Sequence, residues 1–454
     1  MHLSQLRTGR PGRTIAGAAV VGALLLTAAC GGSSEGDTGG TAAGTCEPAA
    51  KGTKVALTFT SWVPGMQATV DAWNKANPDI QVTYKEVVGG NQGTYQAYSN
   101  QIKAGKTPDI GMVEFDNLPS FRLQNGLTDI GGCAPVKEAA SKFVPWTVSQ
   151  VGFGEKDAVY GVPMDIGPMA LYYRKDLFDR AGIPAPATWE EYYGAAKKIK
   201  AQGATIGAFP TDQPAWFTSL AWQNGAQWFS VKDNAWSVSL TDDATTKVAD
   251  YWQKLIDERL VDTIPGLGDP QWKALDSGKE WSIIGAAWTT KLLESSAPKT
   301  KGKWAVAPMP QWTAGGNTTG NWGGSTAVVF KNSKHPYEAA KFATWAFSDL
   351  EALALNNKNG GQYPATSEGQ KQLPALSEGL PYYGNQKVWE VFATASAGVD
   401  PSFQWGPTMT QTYAELADGI GKAVNGKGTL SGALETAQAK TVQTMKSQSL
   451  TVSE

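Results

Sequence analysis

Residues 55–84 constrain the fold more tightly than any other part of this chain. Val55, Leu57 and Phe59 alternate with small or polar residues, the period of a half-buried strand. Pro64 and Gly65 end that run. Met66, Val70 and Trp73 then share one helical face, and Asn77-Pro78 stops the helix. Ile80, Val82 and Tyr84 alternate again. Strand, helix and strand in this order require a crossover, so the sheet is parallel and the class is α/β.

The same grammar recurs downstream. The spacing predicts a helix over residues 95–104 and a short buried strand over 108–113, ending at Glu114-Phe115-Asp116. Thr188-Trp189-Glu190-Glu191 reads as a capping box opening a helix with Trp189, Tyr192, Tyr193, Ala196 and Ile199 as its apolar stripe. Strands are expected over 304–306 and 326–330, a helix over 336–347, and a final helix carrying Leu434, Ala437, Thr441 and Met445. No fixed-period repeat is visible.

The first residues are of another kind. Arg7, Arg10 and Arg13 precede a small-apolar run over 15–26, followed by Thr27-Ala28-Ala29-Cys30-Gly31. A basic start, a short apolar stretch and a small-residue cleavage site make a secretory signal. The cysteine after two alanines resembles a bacterial lipoprotein signal, which implies cleavage before Cys30 and lipid on its sulfur. Such signals usually carry Leu three residues before the cysteine; here Thr27 stands there, with Leu26 one further out. An ordinary signal peptide with a chance cysteine is the alternative. Residues 30–52 begin with a Gly-, Ser- and Thr-rich stretch that reads as a flexible tether.

Removing 29 of the 454 residues leaves 425 with 36 basic and 41 acidic side chains, so no basic stripe points to nucleic acid. No apolar run after Leu26 is long enough to span a membrane. A chain of this length exceeds one core and is expected to form two lobes. Export to an oxidising space favours a disulfide between Cys46 and Cys133, with two free thiols as the alternative.

Catalytic signatures are scarce. His335 is the one histidine left after cleavage, which disfavours a Ser-His-Asp site and a histidine metal site. Gly32-Ser33-Ser34-Glu35-Gly36 lies in the tether, and Gly426-Lys427-Gly428 lacks the hydroxyl a P-loop needs for magnesium. Glu114 and Asp116 lie two apart on an extended segment and share a face. Such a pair suits a groove that accepts hydrogen bonds from sugar hydroxyls, a solvated strand end, or the acid and base of a glycosidase. The 18 tryptophans must mostly build core, with a subset free to line a groove.

Four stretches together resemble family 1 of the bacterial extracellular solute-binding proteins. They are Gly105-Lys106-Thr107-Pro108-Asp109-Ile110 with Gly126-Leu127-Thr128-Asp129; Tyr160-Gly161-Val162-Pro163-Met164-Asp165 running on through Leu171-Tyr172-Tyr173-Arg174-Lys175-Asp176-Leu177-Phe178 to Ala181-Gly182-Ile183-Pro184; Gly323-Gly324-Ser325 followed by Ser333-Lys334-His335-Pro336; and Gly361-Gln362-Tyr363-Pro364-Ala365.

The resemblance implies a two-lobed periplasmic-binding-protein-like fold of type II, with a ligand cleft between lobes joined by hinge segments. The expected lobes are 53–165 with 316–362, and 166–315 with 363–454. The implied function is capture of a carbohydrate for an ABC importer by a lipid-anchored monomer outside the cell, with the importer's permease and ATPase subunits as partners and no cofactor, metal or catalysis. The tryptophan count points to an oligosaccharide. A secreted glycosidase, a binder of another solute such as a polyol, and a surface lipoprotein without a ligand are the alternatives. By position in the family pattern the ligand-binding candidates are Trp62, Glu114, Asp116, Asp165, Trp216, Trp288, Trp322, Tyr363 and Trp405. Core packing is the alternative for each aromatic, and Asp165 equally suits a hinge role. Trp73, Trp189, Trp252 and Trp345 are expected in the core.

Overall fold

The computed structural model describes residues 46–153, 155, 157–372 and 378–453. The signal segment, Cys30 and most of the expected tether lie outside the described residues. The strands in chain order are β1 (Val55–Ser61), β2 (Ile80–Glu86), β3 (Ile110–Glu114), β4 (Val162–Asp165), β5 (Met169–Arg174), β6 (Ala208–Pro210), β7 (Phe229–Lys232), β8 (Ala235–Val238), β9 (Asp262–Ile264), β10 (Ser282–Ala286), β11 (Trp304–Pro308) and β12 (Ser325–Val329).

A five-stranded sheet has the order β2-β1-β3-β12-β4. β1 runs parallel to β2 and β3, as the opening strand-helix-strand unit demands, while β12 is antiparallel to both β3 and β4. The helix Met66–Ala76 covers this sheet with the helices Pro336–Ser348 and Leu350–Gly360 from far along the chain. Phe59 and Trp73 meet Phe342 at ring distances of 5.7 and 5.4 Å.

The second sheet has the order β10-β5-β11, with both outer strands antiparallel to β5. β5 is buried on both faces, which its Met-Ala-Leu-Tyr-Tyr run permits. β6 and β9 form a separate parallel pair, and β7 with β8 an antiparallel hairpin. Beside them Trp189, Tyr192, Trp216, Tyr251 and Trp252 pack edge to face, the geometry that aromatic quadrupoles favour.

The chain passes between the two sheets three times: between β4 and β5, between β11 and β12, and after Gly360, since the helix Val388–Ala397 packs on β5 and β11. The crossings are bonded together. Ile166 N–H donates to the Tyr363 carbonyl at 3.0 Å, Trp322 N–H to the Gly167 carbonyl at 2.8 Å, and Gly167 N–H to Asn321 Oδ1 at 2.8 Å.

Several local expectations shift by a residue or two for identifiable reasons. The strand expected over 108–113 begins at Ile110, because Asp109 is occupied in bonding β1 and the loop at Ser333: its carboxylate accepts from Thr58 N–H, Thr58 Oγ1 and Ser333 Oγ. The strand expected over 326–330 starts at Ser325. Thr188 caps its helix by accepting from Glu191 N–H, but Glu191 returns its bond to Ala187 N–H rather than to Thr188, so the capping box is displaced by one residue. The tether expected to reach residue 52 is held from Cys46 onward. Cys46 and Cys133 form a disulfide with Cα atoms 4.8 Å apart, and Ala49 N–H donates to Glu338 Oε1 at 2.7 Å.

The disulfide closes a loop whose ends are 87 residues apart. Replacing Cys133 with Ser should lower unfolding free energy by roughly 2–4 kcal/mol through the freed unfolded chain. Urea denaturation of the variant, and of the wild type under reductant, should show the same loss.

Candidate functional site

β3 and β4 both end in a carboxylate, Glu114 and Asp165, and β12 starts between them with Ser325. Ser325 pairs with Glu114 on one side and with Asp165 on the other. Directly opposed residues point to one face, so the ladder sets two acids in a row outside the carboxyl ends of two strands, where open α/β sheets bind ligands. Gly324, at a φ of 87°, makes this possible: a Cβ there would lie 3.0 Å from the Asp165 carbonyl and 3.1 Å from the Phe115 ring.

Tyr95 holds Glu114 in place, accepting from its backbone N–H at 3.0 Å and donating to its Oε2 at 2.8 Å. Trp62 stands edge-on to Tyr95 at 5.8 Å. Asp116 accepts from Asn117 Nδ2 at 2.7 Å, and Thr410 donates in turn to Asn117 Oδ1 at 2.7 Å, which ties the end of the first sheet to the helix Met409–Val424. None of the ion pairs among the described residues involves Glu114, Asp116 or Asp165. Their electrostatics follow. Burial, then the neighbouring Asp116 charge, pushes Glu114 up to about 8. Burial raises Asp116 as well, and Asp165 to about 6.

Two polar side chains flank these acids, the Gln362 amide beside Asp165 and the Tyr413 hydroxyl beside Asp116. Asp165 Oδ1 is buried with no protein partner. Buried polar groups are normally satisfied, so acids and amides gathered here with an acceptor left over mark a place suited to hydroxyl-bearing molecules. Perturbed acids alone do not mark it. Glu280 is fully buried and is also raised to about 8, chiefly by burial, yet it precedes β10, at the opposite end of that strand from Trp288.

The structure sorts the sequence candidates. Glu114, Asp116 and Asp165 come together, with Trp62 half-buried at one edge. Trp288 and Trp322 sit beside the crossings with rings 4.6 Å apart, and Trp288 spends its N–H on the Trp322 carbonyl at 3.0 Å. Trp288 keeps partial exposure, while Trp322 is nearly buried. Tyr363 is wholly buried and stacks on Trp389 at an interplanar angle of 10°, its hydroxyl unpaired. Trp405 packs on Phe403 and Trp222.

Trp216 requires correction. It lies in the core, 5.0 Å from the Trp252 ring, with its N–H given to the Ile284 carbonyl, because the helix Pro214–Gln223 is buried on all sides. Trp73, Trp189 and Trp252 are buried as expected, and Trp345 is partly so. Tyr95, Gln362 and Tyr413 were not singled out by sequence. Tyr413 falls four residues after Met409 and three before Leu416, a spacing that reads as helix core. Among the described residues no group of His, Cys, Asp or Glu is arranged to hold a metal ion, and no helix is long and apolar enough to cross a membrane.

A family model described as bacterial extracellular solute-binding protein matches residues 58–352. The arabinooligosaccharide-binding protein of Bacillus subtilis (strain 168) is 27% identical over 285 residues, covering 61% of this chain and 64% of that protein. The match thus spans just under two thirds of the Bacillus protein's length. The lactose-binding protein of Rhizobium radiobacter is 27% identical over 359 residues, covering 74% of this chain and 81% of its own. Among solved structures, the galacto-N-biose-/lacto-N-biose I-binding protein of an ABC transporter from Bifidobacterium longum, in complex with lacto-N-biose, superposes with a TM-score of 0.80 at 29% identity over 89% of this chain and all of that one.

A carboxyl whose pKa is raised on folding stabilises the fold relatively at low pH and loses that contribution as pH climbs through the folded value. For Glu114 the window runs from 4.5 to about 8. Glu114→Gln and Asp165→Asn should therefore each be more stable than the wild type at pH 8, by roughly 1–3 kcal/mol, and closer to it at pH 5. Thermal denaturation of the ligand-free variants at both pH values tests this.

Proposed function

We infer that this chain, which belongs to the bacterial extracellular solute-binding protein family, captures a carbohydrate, and specifically an oligosaccharide, for an ABC importer. The observation that carries the reading is the meeting of three buried carboxyl groups, Glu114, Asp116 and Asp165, with the Gln362 amide and the Tyr413 hydroxyl beside them, flanked by Trp62 and by the crossing-segment rings of Trp288 and Trp322. Carboxylates and amides suit the hydroxyl rim of a sugar, and indole rings suit its C–H faces. A sugar that lacks one of the expected hydroxyls leaves a buried partner unpaired, at a cost of roughly 1–3 kcal/mol, which is the source of selectivity. Among the described residues no ion pair supplies a cation to these acids, which disfavours phosphorylated or acidic ligands. The relatives' sugar ligands agree with this reading.

The lobes divide at the crossings: residues 53–165 with 316–362, and 166–315 with 363–454. The ligand binds between them, and closure is favoured by contacts it makes to both at once. The permease subunits of the importer are the partners, and the protein works as a monomer held outside the cell by lipid on Cys30, after cleavage of residues 1–29. Family membership sets the glycosidase alternative aside.

The test is a thermal-shift screen of the soluble form beginning after Cys30 against mono- and oligosaccharides. Ligand at a hundredfold its dissociation constant should add ~2.7 kcal/mol, a clear rise in Tm. Trp288→Ala should weaken binding of the responding sugar by about tenfold or more with circular dichroism unchanged. No shift with any sugar, or unaltered affinity in Trp288→Ala, defeats the respective assignment.

A further inference from the structure

The hydroxyl of Tyr95 braces Glu114, and it also settles where a proton on that carboxyl sits. Tyr95 stands on the helix Thr94–Ala104, edge to face with Phe121 at 5.5 Å and against Gly90, where a Cβ would lie 2.3 Å from the ring. These contacts fix the ring and leave its hydroxyl one set of partners. A lone pair takes the Glu114 backbone N–H at 3.0 Å, and the single proton goes to Glu114 Oε2 at 2.8 Å. Burial, then the Glu114 and Asp116 charges, pushes this hydroxyl well above its ordinary value, so it remains a donor. Among the described residues it has no other acceptor.

Glu114 is the acid that feels both of the others. Asp116 lies two residues on, and Asp165 lies across Ser325 in the ladder. The titratable groups facing it are those two, with Tyr95 and Tyr413, and none of these is a cation. Three carboxyls that meet without a counter-charge do not all ionise, so at neutral pH one keeps its proton. The rise of Glu114 to about 8 agrees with its being that one. A proton on Oε2 would leave the Tyr95 proton buried without an acceptor, at the cost of an unmade hydrogen bond. The proton therefore sits on Oε1. That oxygen accepts no hydrogen bond among the described residues and is not sealed in the interior, so it is the atom left for a ligand.

We propose that Tyr95 is a positioning residue for ligand recognition: it commits Oε2 of Glu114 to the protein, so that Glu114 meets the sugar through Oε1 alone and as a hydrogen-bond donor. The proposal rests on the carbohydrate reading above. The sugar must then set an acceptor at that point, which a ring or glycosidic oxygen, an acetamido carbonyl or a hydroxyl lone pair supplies. A sugar that offers no acceptor there leaves the donor unpaired and is refused.

The test is calorimetric titration of the mature soluble chain, and of its Glu114→Gln and Tyr95→Phe variants, with lactose, lacto-N-biose, arabinotriose and maltotriose from pH 6 to pH 9. With the sugar that binds, the wild type should weaken relative to Glu114→Gln by about tenfold over this range, because the amide keeps a donor where the carboxyl loses its proton. Tyr95→Phe keeps the ring and its packing. The lost bond to Oε2 favoured the ionised carboxyl, so the fall in affinity should move to higher pH; a purely structural role would weaken binding equally at every pH. Infrared difference spectra of the ligand-free chain against Glu114→Gln read the proton directly, and the protonated carboxyl band should persist to higher pH in Tyr95→Phe. Wild-type affinity that is level or rises with pH, a profile unmoved in Tyr95→Phe, or a Glu114 already ionised at pH 6 overturns the proposal and leaves the sugar site standing. Failure of all four sugars to bind overturns the carbohydrate reading, and the proposal with it.

Discussion

The ladder that sets β12 between β3 and β4 is the interaction on which the rest depends. Thr326 Oγ1 donates to the Val113 carbonyl 213 residues away in sequence. By lying antiparallel to both neighbours, β12 makes β3 and β4 end side by side, and so places Glu114, Ser325 and Asp165 in one row. The same pairing obliges the chain to return from the second sheet to the first, and that return creates the crossing segments. The site is thus a by-product of connectivity: the place where crossings leave the sheet is also where strand ends expose carboxylates to a common space.

That space is costly to maintain. Three acids without a cationic partner are each raised chiefly by burial, and Glu114 is raised further by the Asp116 and Asp165 charges. The sheet holds them regardless, because their backbones are fixed by strand pairing and by Tyr95 and Asn117. Stability sacrificed at a preformed polar site is the usual signature of binding function, since the groups are arranged for a ligand and not for each other. Glu280 shows that burial of an acid is not sufficient evidence by itself; what distinguishes the site is that three acids meet there with the Tyr95 and Tyr413 hydroxyls and the Gln362 amide beside them.

Much of this was legible before the structure. The parallel unit of β1, β2 and the intervening helix follows from period alone, and the pairing of Glu114 with Asp116 on one face follows from strand geometry. Asp165 was reached only through the family pattern, as the residue just before the first crossing. Trp216 was misjudged because its helix is buried all round, so pattern cannot say which face meets the core. Tyr413 escaped notice because a site built by tertiary convergence leaves no local mark: Tyr413 has the spacing of a core residue and is diverted to Asp116 by packing between distant elements. Asp109 illustrates the same limit on boundaries, where three bonds accepted by its side chain from β1 and from Ser333 shorten a strand that propensity would extend.

The Cys46–Cys133 bridge has a mechanical meaning. Without it, only the bond from Ala49 to Glu338 would stand between tension on the segment before residue 46 and β1 with its hydrogen bonds to β2 and β3. With it, the load divides at Cys46 and passes covalently to Cys133, beyond β3 and just ahead of the helix Ala134–Ala139. The bond from Ala49 to Glu338 shares what remains. Peeling of the N-terminal strand under pull is thereby blocked by a covalent link, and the sheet that positions Glu114 and Asp165 is shielded from whatever the N-terminal segment is drawn toward.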